Sequence, residues 1–358
     1  MQTKLNFALV GCGRVAQKYF QHLASDPIDG ARLVAICDID EQKAIKVGEE
    51  FDLPWFSNIT EMLVTMGEKV DVVLVLTPSG LHAEHVIQIA GFQKHVVVEK
   101  PMALTLDSAD RMIRSCDQFG VRLFVVKQNR WNKPVQLLHT AVTQGAFGKL
   151  VMGTVRVRWC REQAYYDQDA WRGTWEFDGG VFSNQASHHI DLLEWMLGEP
   201  ESVYATANTS LVNIETEDTG VAVVRFCSGA LGVIEATTAA RPKDLEGSLS
   251  ILGERGIIEI GGFAVNELKT WEFTDGSPPQ PKTDLTENPP DVYGFGHRAY
   301  IEHVVDSLRN NTPALVDGLE GRKSLELISA IYESVETGNE VALRFRSKHN
   351  RSRLGIDG

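Results

Sequence analysis

Cysteine is scarce and unpaired in this chain: Cys12, Cys37, Cys116, Cys160 and Cys227 form an odd, widely spaced set without a C-x-x-C. Neither a disulfide framework nor a zinc site is indicated. Basic charge is short as well, with 35 Lys and Arg against 48 Asp and Glu and a net charge of −13. That argues against a nucleic-acid surface, and any anionic ligand must be met by a local basic cluster. No apolar run approaches the roughly 20 residues a membrane span needs, and no basic leader with a cleavage site precedes the first strand. A cytoplasmic protein without membrane attachment is the expectation. Repeats and low-complexity segments are also missing. What is plentiful is core material: 43% of the residues are hydrophobic, and 358 residues suffice for two substantial domains.

The stretch from Leu5 to Asp38 organises the rest. An apolar run, LNFALV, leads into Gly11-Cys12-Gly13-Arg14-Val15-Ala16, then a helix to about Ser25, then LVAIC and Asp38. The G-x-G-x-x-A spacing between a strand and a helix, with an acid closing the second strand, is the dinucleotide fingerprint in its required context. Gly11 permits the tight turn, Gly13 admits a pyrophosphate, and Ala16 lets the helix pack closely. The helix N-terminus offers its free N–H groups to the anion. Asp38 can accept from both ribose hydroxyls and repel a 2′-phosphate, which predicts NAD rather than NADP.

Up to Val126, short apolar runs alternate with helical segments, the pattern of a doubly wound parallel sheet. VDVVLVLTP reads as a strand buried on both faces, and Thr77-Pro78-Ser79 lies at its carboxyl edge, where ligands bind in such sheets. The next strand ends at Glu99-Lys100-Pro101. A lysine there points either into the cofactor crevice, where lost solvation lowers its pKa and suits it to proton handling, or into solvent at the rim.

Lys127-Gln128-Asn129-Arg130-Trp131 marks the expected junction between a domain spanning residues 1–126 and one spanning 127–358. Leu150 to Arg161 alternates strictly and sets Arg156 and Arg158 side by side on one strand face. They serve either acidic partners at a subunit interface or an anionic ligand. Trp171-Arg172 and Gly179-Gly180 lead to Asn184-Gln185-Ala186-Ser187-His188-His189, followed by a helix. A helix beginning near Asn184 would bring Asn184, His188 and Asp191 to one face, either as a general base within reach of a hydroxyl or as structural histidines. Six strand-like runs between Ser202 and Phe273 imply a largely antiparallel sheet. Thr274 to Pro290 reads as a loop, two helices follow, and the tail after Arg346 reads as polar and loose.

The glycine motif, Glu99-Lys100-Pro101 and the run from Gly179 to Asp191 together resemble the glucose–fructose oxidoreductase/inositol dehydrogenase (Gfo/Idh/MocA) family over essentially the whole chain. The resemblance implies a Rossmann domain followed by an α/β domain with a large, mostly antiparallel open sheet that binds substrate and joins subunits into a dimer or tetramer. It implies catalytic Lys100 and His188, with His188 as base for the hydroxyl proton and Lys100 stabilising the oxygen; which of the two finally accepts the proton is not readable from sequence, and their roles are open to coupling. It also implies NAD held by Gly11, Gly13, Arg14, Val15, Asp38, Thr77, Pro78, Ser79, His82, Glu99, Lys100, Gln128, Trp171 and Arg172. Where the family commonly has an aspartate, this chain has Asn184. Lys127 to Arg130, the Trp171 to Trp175 segment and Asn184 to His189 look like the UDP-N-acetyl-glucosaminuronate 3-dehydrogenases. These oxidise the sugar C3 hydroxyl in bacterial surface-polysaccharide synthesis. The implied substrate contacts are Lys100, Asn129, Arg130, Arg156, Arg158, Asn184, Gln185 and His188, with Lys127, Arg161 and Arg172 as further cations for the pyrophosphate and carboxylate. A dehydrogenase of a free cyclitol or sugar and a non-catalytic NAD-binding regulator are the alternatives.

Overall fold

A computed structural model describes residues 4–279, 281, 286, 289, 292 and 294–343. The tail after Arg346 and much of the loop expected at Thr274 to Pro290 lie outside these residues. Six strands, β1 (Leu5–Val10), β2 (Ala31–Cys37), β3 (Trp55–Phe56), β4 (Val72–Val75), β5 (His95–Val98) and β6 (Leu123–Val125), form a parallel sheet in the order β3-β2-β1-β4-β5-β6. The order reverses between β1 and β4, and a crevice opens there at the carboxyl ends of the strands. Three helices of this domain are capped by side chains: Asp40 accepts from Gln42 and Lys43, Asn58 from Glu61 and Thr105 from Ser108.

One face of this sheet buries Val73, Val75, Val96 and Val98 against the helices Ile59–Met66, His82–Gly91 and Leu106–Gln118. The other face buries Phe7, Leu9, Phe20 and Val72 together with Tyr300, Ile301, Val304 and Val305 of the Gly296–Arg309 helix. The chain thus returns from its far end to complete the first core. It also shields the sheet edge, since Val125 N–H donates to Val316 O at 3.1 Å and Phe124 bridges Asp317.

The second sheet has eight strands: β7 (Leu150–Arg158), β8 (Pro200–Asn208), β9 (Thr219–Phe226), β10 (Leu231–Thr237), β11 (Glu246–Gly253), β12 (Gly256–Gly261), β13 (Glu267–Phe273) and β14 (Val341–Ala342). Their order is β13-β12-β11-β7-β10-β9-β8-β14, antiparallel except for the β7–β10 pair. Val155, Val157, Val224 and Ile234 pack on the helices Ser187–Leu197 and Gly318–Thr337. The opposite face is open. There Val223 pairs across the strands with Tyr204 and Val233, and Tyr204 and Val223 are 50% and 46% exposed. Among the described residues no helix is long and apolar enough to cross a membrane.

Candidate active site

Gly11 ends β1 with φ +98°, and a Cβ there would lie 2.8 Å from Leu76 O, so the turn admits only glycine. Gly13 has open space where a Cβ would stand. Asp38 is fixed at both oxygens, accepting from Cys12 N at 2.7 Å and Asp40 N at 2.8 Å. These residues border a cleft of about 880 Å³ that continues past Arg14 and Val15, along Thr77, Pro78 and Ser79, to Glu99, Lys100, Trp171, Arg172 and Asn184. Its glycine wall, carboxylate end and helix N-terminus fit an NAD molecule. Asp38→Ala should therefore relax the preference for NAD over NADP, because the ribose acceptor and the charge opposing a 2′-phosphate both disappear. Comparing kcat/KM for the two cofactors checks this, and an unchanged ratio would count against the placement of Asp38.

At the inner end of the cleft Glu99 is buried. It accepts from Tyr19 Oη at 2.8 Å and from Lys100 N at 3.0 Å, with His297 Nε2 at 3.7 Å. Burial raises its pKa, but hydrogen bonds and charge from His297 and Tyr19 bring it below the ordinary value. The Lys100–Pro101 peptide bond is cis. Lys100 Nζ donates to the backbone oxygen of Asn184 at 3.0 Å and to its Oδ1 at 3.2 Å. Burial lowers the Lys100 pKa, Glu99 and Asp178 oppose the shift, and Lys127 and Arg172 reinforce it; the net direction is down. The Asn184 amide points its nitrogen at Asp178 Oδ1 and its oxygen at Lys100. An amide at 184 therefore satisfies both neighbours, whereas a carboxylate would face that of Asp178.

Asn184 is not on the helix. Val181–Gln185 is a wide turn and the helix begins at Ser187, which corrects the expected start. The turn is held from below. Tyr332 Oη accepts from Gly180 N and Ser183 N, each at 3.2 Å, and donates to Glu217 Oε1 at 2.9 Å, which also accepts from Phe182 N at 3.1 Å. A Cβ on Gly180 would lie 1.8 Å from Glu217 Oε2. Burial raises the Glu217 carboxyl to about 7. His188 is buried and not among the residues lining the cleft, and neither ring nitrogen has a hydrogen-bond partner among the described residues. Burial first, then the charges of Lys100 and Lys127, hold its pKa well below the ordinary value, so it is neutral.

Several expected site residues stand elsewhere. His82 lies beneath the cleft and bridges Pro101 O at 2.9 Å and Thr77 O at 2.8 Å, while His85 reaches the lining. Arg130 is buried on Asp191 at 2.8 and 2.9 Å and on Glu320 at 3.0 Å, over the Trp195 ring. A buried guanidinium requires such carboxylates, so it is an internal ion pair rather than a free anion contact. Lys127 joins that group, 2.8 Å from Ser324 Oγ and 3.6 Å from Asp191. Arg156 and Arg158 project from the open face of the second sheet, where Glu235 and Glu246 pair with them; the structure does not bring them to the cleft. Gln128 and Asn129 are buried, each with a side-chain oxygen lacking a partner among the described residues. Gln185 Nε2 reaches Tyr165 Oη at 3.4 Å. Asp178, Tyr165, Glu217 and Tyr332 carry no motif that would have marked them.

Residues 5–127 match the profile of the oxidoreductase family NAD-binding Rossmann fold, and residues 139–343 match its C-terminal alpha/beta domain. Among solved structures, the chain is similar to the WlbA dehydrogenase from Bordetella pertussis in complex with NADH and UDP-GlcNAcA. Identity is 42%, the TM-score is 0.88, and 96% of this chain and 99% of that one are covered. The WlbA dehydrogenase from Chromobacterium violaceum, also with NADH and UDP-GlcNAcA, gives 43% identity and a TM-score of 0.89, covering 97% and 98%. A myo-inositol 2-dehydrogenase of Thermotoga maritima is 29% identical over 95% of this chain and 98% of its own length. With both domain profiles matched around a glycine-walled cleft that ends in Lys100, the chain belongs to the Gfo/Idh/MocA family of NAD-dependent oxidoreductases.

Proposed function

We propose that this enzyme oxidises the C3 hydroxyl of UDP-2-acetamido-2-deoxyglucuronate to the 3-keto sugar, as a step towards the nucleotide sugars of a bacterial surface polysaccharide such as O-antigen. The observation that carries the reading is Lys100, seated on Asn184 at the inner end of the cleft. It occurs in a chain 42% and 43% identical to two dehydrogenases solved with NADH and UDP-GlcNAcA. When bound, NAD supplies the hydride acceptor. The chain must do the rest: hold the sugar and take a proton from its hydroxyl.

The amine that can take a proton has two N–H donors and a lone pair. Both donors of Lys100 go to Asn184, which leaves the lone pair for the substrate hydroxyl and orients it. Sequence alone names His188 as a base but leaves open whether it or Lys100 accepts the proton. Beside Lys100 and Lys127, however, an imidazolium is disfavoured, whereas burial moves Lys100 towards the pH range in which an amine accepts a proton. Burial and neighbouring charge therefore favour Lys100 as acceptor with His188 neutral. A pH test follows. Asp178 stabilises the Lys100 ammonium, so Asp178→Asn lowers the Lys100 pKa further and populates the amine at lower pH. The rising limb of kcat/KM should move to lower pH; a limb that stays or moves up would detach it from Lys100.

The same reading makes the protein a cytoplasmic homo-oligomer, dimer or tetramer, whose copies meet through the open face of the second sheet. The inositol dehydrogenase relative favours the alternative of a free cyclitol substrate. The presence of Lys100 and His188 opposes a non-catalytic regulator. Supplying NAD with either the nucleotide sugar or myo-inositol, and following NADH and the keto product, decides among these. NADH from myo-inositol alone would overturn the reading.

A further inference from the structure

The wide turn Val181–Gln185 fixes the Lys100 nitrogen through one residue, since the backbone oxygen and the Oδ1 of Asn184 both accept from it. Where those two oxygens stand therefore depends on the turn. Val181, Phe182 and Ser183 are buried, so their amides need partners. Two distant residues supply them and the Gly180 amide as well: Tyr332 Oη accepts from Gly180 N and Ser183 N, Glu217 Oε1 from Phe182 N, and Glu217 O from Val181 N at 3.0 Å. Tyr332 belongs to the Gly318–Thr337 helix, which also rests on the first sheet; a Cβ on Gly321 would meet Val125 of β6 at 2.6 Å. The helix thus sets the Asn184 turn against the strand beside β5, the strand that leads to Lys100.

Donor directions make the carboxyl of Glu217 the keystone. Tyr332 Oη accepts two N–H groups, so its own hydrogen goes to Glu217 Oε1 at 2.9 Å. Oε1 then receives two donors, and a carboxylate holds them about twice as strongly as a neutral acid does. Oε2 is buried without a partner among the described residues and lies against Gly180, so a proton on Glu217 has its seat there. Burial raises the carboxyl to about 7 against the pull of the Phe182 and Tyr332 hydrogen bonds, and both forms are populated near neutral pH. The titratable groups around it do not share this proton. Burial, then the Glu217 charge, push the Tyr332 phenol well above its ordinary value. Asp218 accepts from Ser210 N and Leu211 N at 2.9 Å, and Glu215 from Trp175 N at 3.0 Å. Across the turn, Asp178 faces the Asn184 amide nitrogen and Lys100 its oxygen.

Resting on the reading of Lys100 as proton acceptor, we infer that Glu217 is a positioning residue for the oxidation, acting through Tyr332 and the Val181–Gln185 turn. As a carboxylate it draws the Tyr332 hydroxyl and the Phe182 amide in and keeps both Asn184 oxygens on Lys100. As a neutral acid it lets the turn relax, and the lysine nitrogen loses its fixed place beside the substrate hydroxyl. Such a loss acts on turnover, because the glycine turn and Asp38 at the other end of the cleft do not depend on it.

Glu217→Gln keeps an oxygen acceptor in the same shape and stands for the neutral acid at every pH. In full-length protein with NAD and the sugar nucleotide, the ratio of wild-type to variant kcat should be about 10 at pH 8.5, the scale of a small misplacement, and about 1 at pH 5.5, where the wild type carries the proton too. Lys100 titrates in both proteins, so its own limb largely cancels in the ratio, and NAD affinity should be the same in both. A ratio that does not change with pH overturns the inference, because damage to the fold alone has no reason to follow this carboxyl. Where Glu217→Gln does not fold, Tyr332→Phe replaces it: kcat should fall by a similar factor with NAD affinity kept, and unchanged kcat, or NAD affinity lost in step with kcat, overturns the inference. If no UDP-sugar is oxidised, the functional reading fails, yet acetylation of Lys100 by acetic anhydride, read by mass spectrometry, still tests the positioning. Faster labelling in Glu217→Gln at pH 8.5 with equal labelling at pH 5.5 supports it, and any other pattern rejects it.

Discussion

Lys100→Met should leave NAD bound and lower turnover by a factor on the order of 10² or more, the usual scale for losing a positioned proton-handling or charge-stabilising group. Methionine keeps the length of the side chain but not the nitrogen. Both hydrogen bonds to Asn184 disappear, at 3.0 and 3.2 Å, together with the nitrogen position left for the substrate. The glycine turn and Asp38 lie at the other end of the cleft and are untouched, so cofactor affinity, measured by fluorescence titration, should hold while kcat falls. Near-normal kcat would mean that Lys100 is a spectator at the rim. His188→Asn should cost less, since burial and the charge of Lys100 keep His188 neutral and it does not line the cleft.

The second large effect concerns the carboxylate of the proposed substrate. A protein of net charge −13 gains nothing from long-range attraction to an anionic sugar nucleotide. Recognition must come from short, charge-assisted contacts inside the cleft. Leaving one buried charge without its partner costs roughly 3 to 5 kcal/mol, so kcat/KM for UDP-2-acetamido-2-deoxyglucuronate should exceed that for UDP-N-acetylglucosamine by two orders of magnitude or more. Parallel assays at saturating NAD measure it. Similar rates on the two nucleotide sugars would show that the carboxylate is not read.

How much of this was legible depended on where the signal resided. The first sheet was readable because the glycine spacing, the buried apolar runs and Asp38 all follow from local backbone demands. Lys100 was readable as a charge at the end of a buried strand. The start of the helix at Ser187 was not, because a wide turn and a helix share the same local hydrogen-bonding look, and what holds the turn, Tyr332 and Glu217, lies far along the chain. Arg130, Arg156 and Arg158 were misleading for one common reason. A sequence shows cations but not which carboxylates fold against them, and Asp191, Glu235 and Glu246 had already claimed these. His82 and His85 sit three residues apart on one helix, and only the packing decided which one faced the cleft.

The Gly296–Arg309 helix has a consequence for how the protein comes into being. A ribosome delivers the chain from its N-terminus, so β1, β2 and β4 emerge long before Tyr300, Ile301, Val304 and Val305, the side chains that seal their outer face. Until that helix arrives, Phe7, Leu9 and Val72 have only Tyr19, Phe20, Leu23 and Val47 to pack against on that side, and the edge beside β6 lacks its Val316 contact. The domain that binds nucleotide is thus first in sequence yet cannot finish early. Its completion waits for the end of translation, and a nascent or truncated chain ending before Gly296 would carry a half-covered apolar face for chaperones to shield.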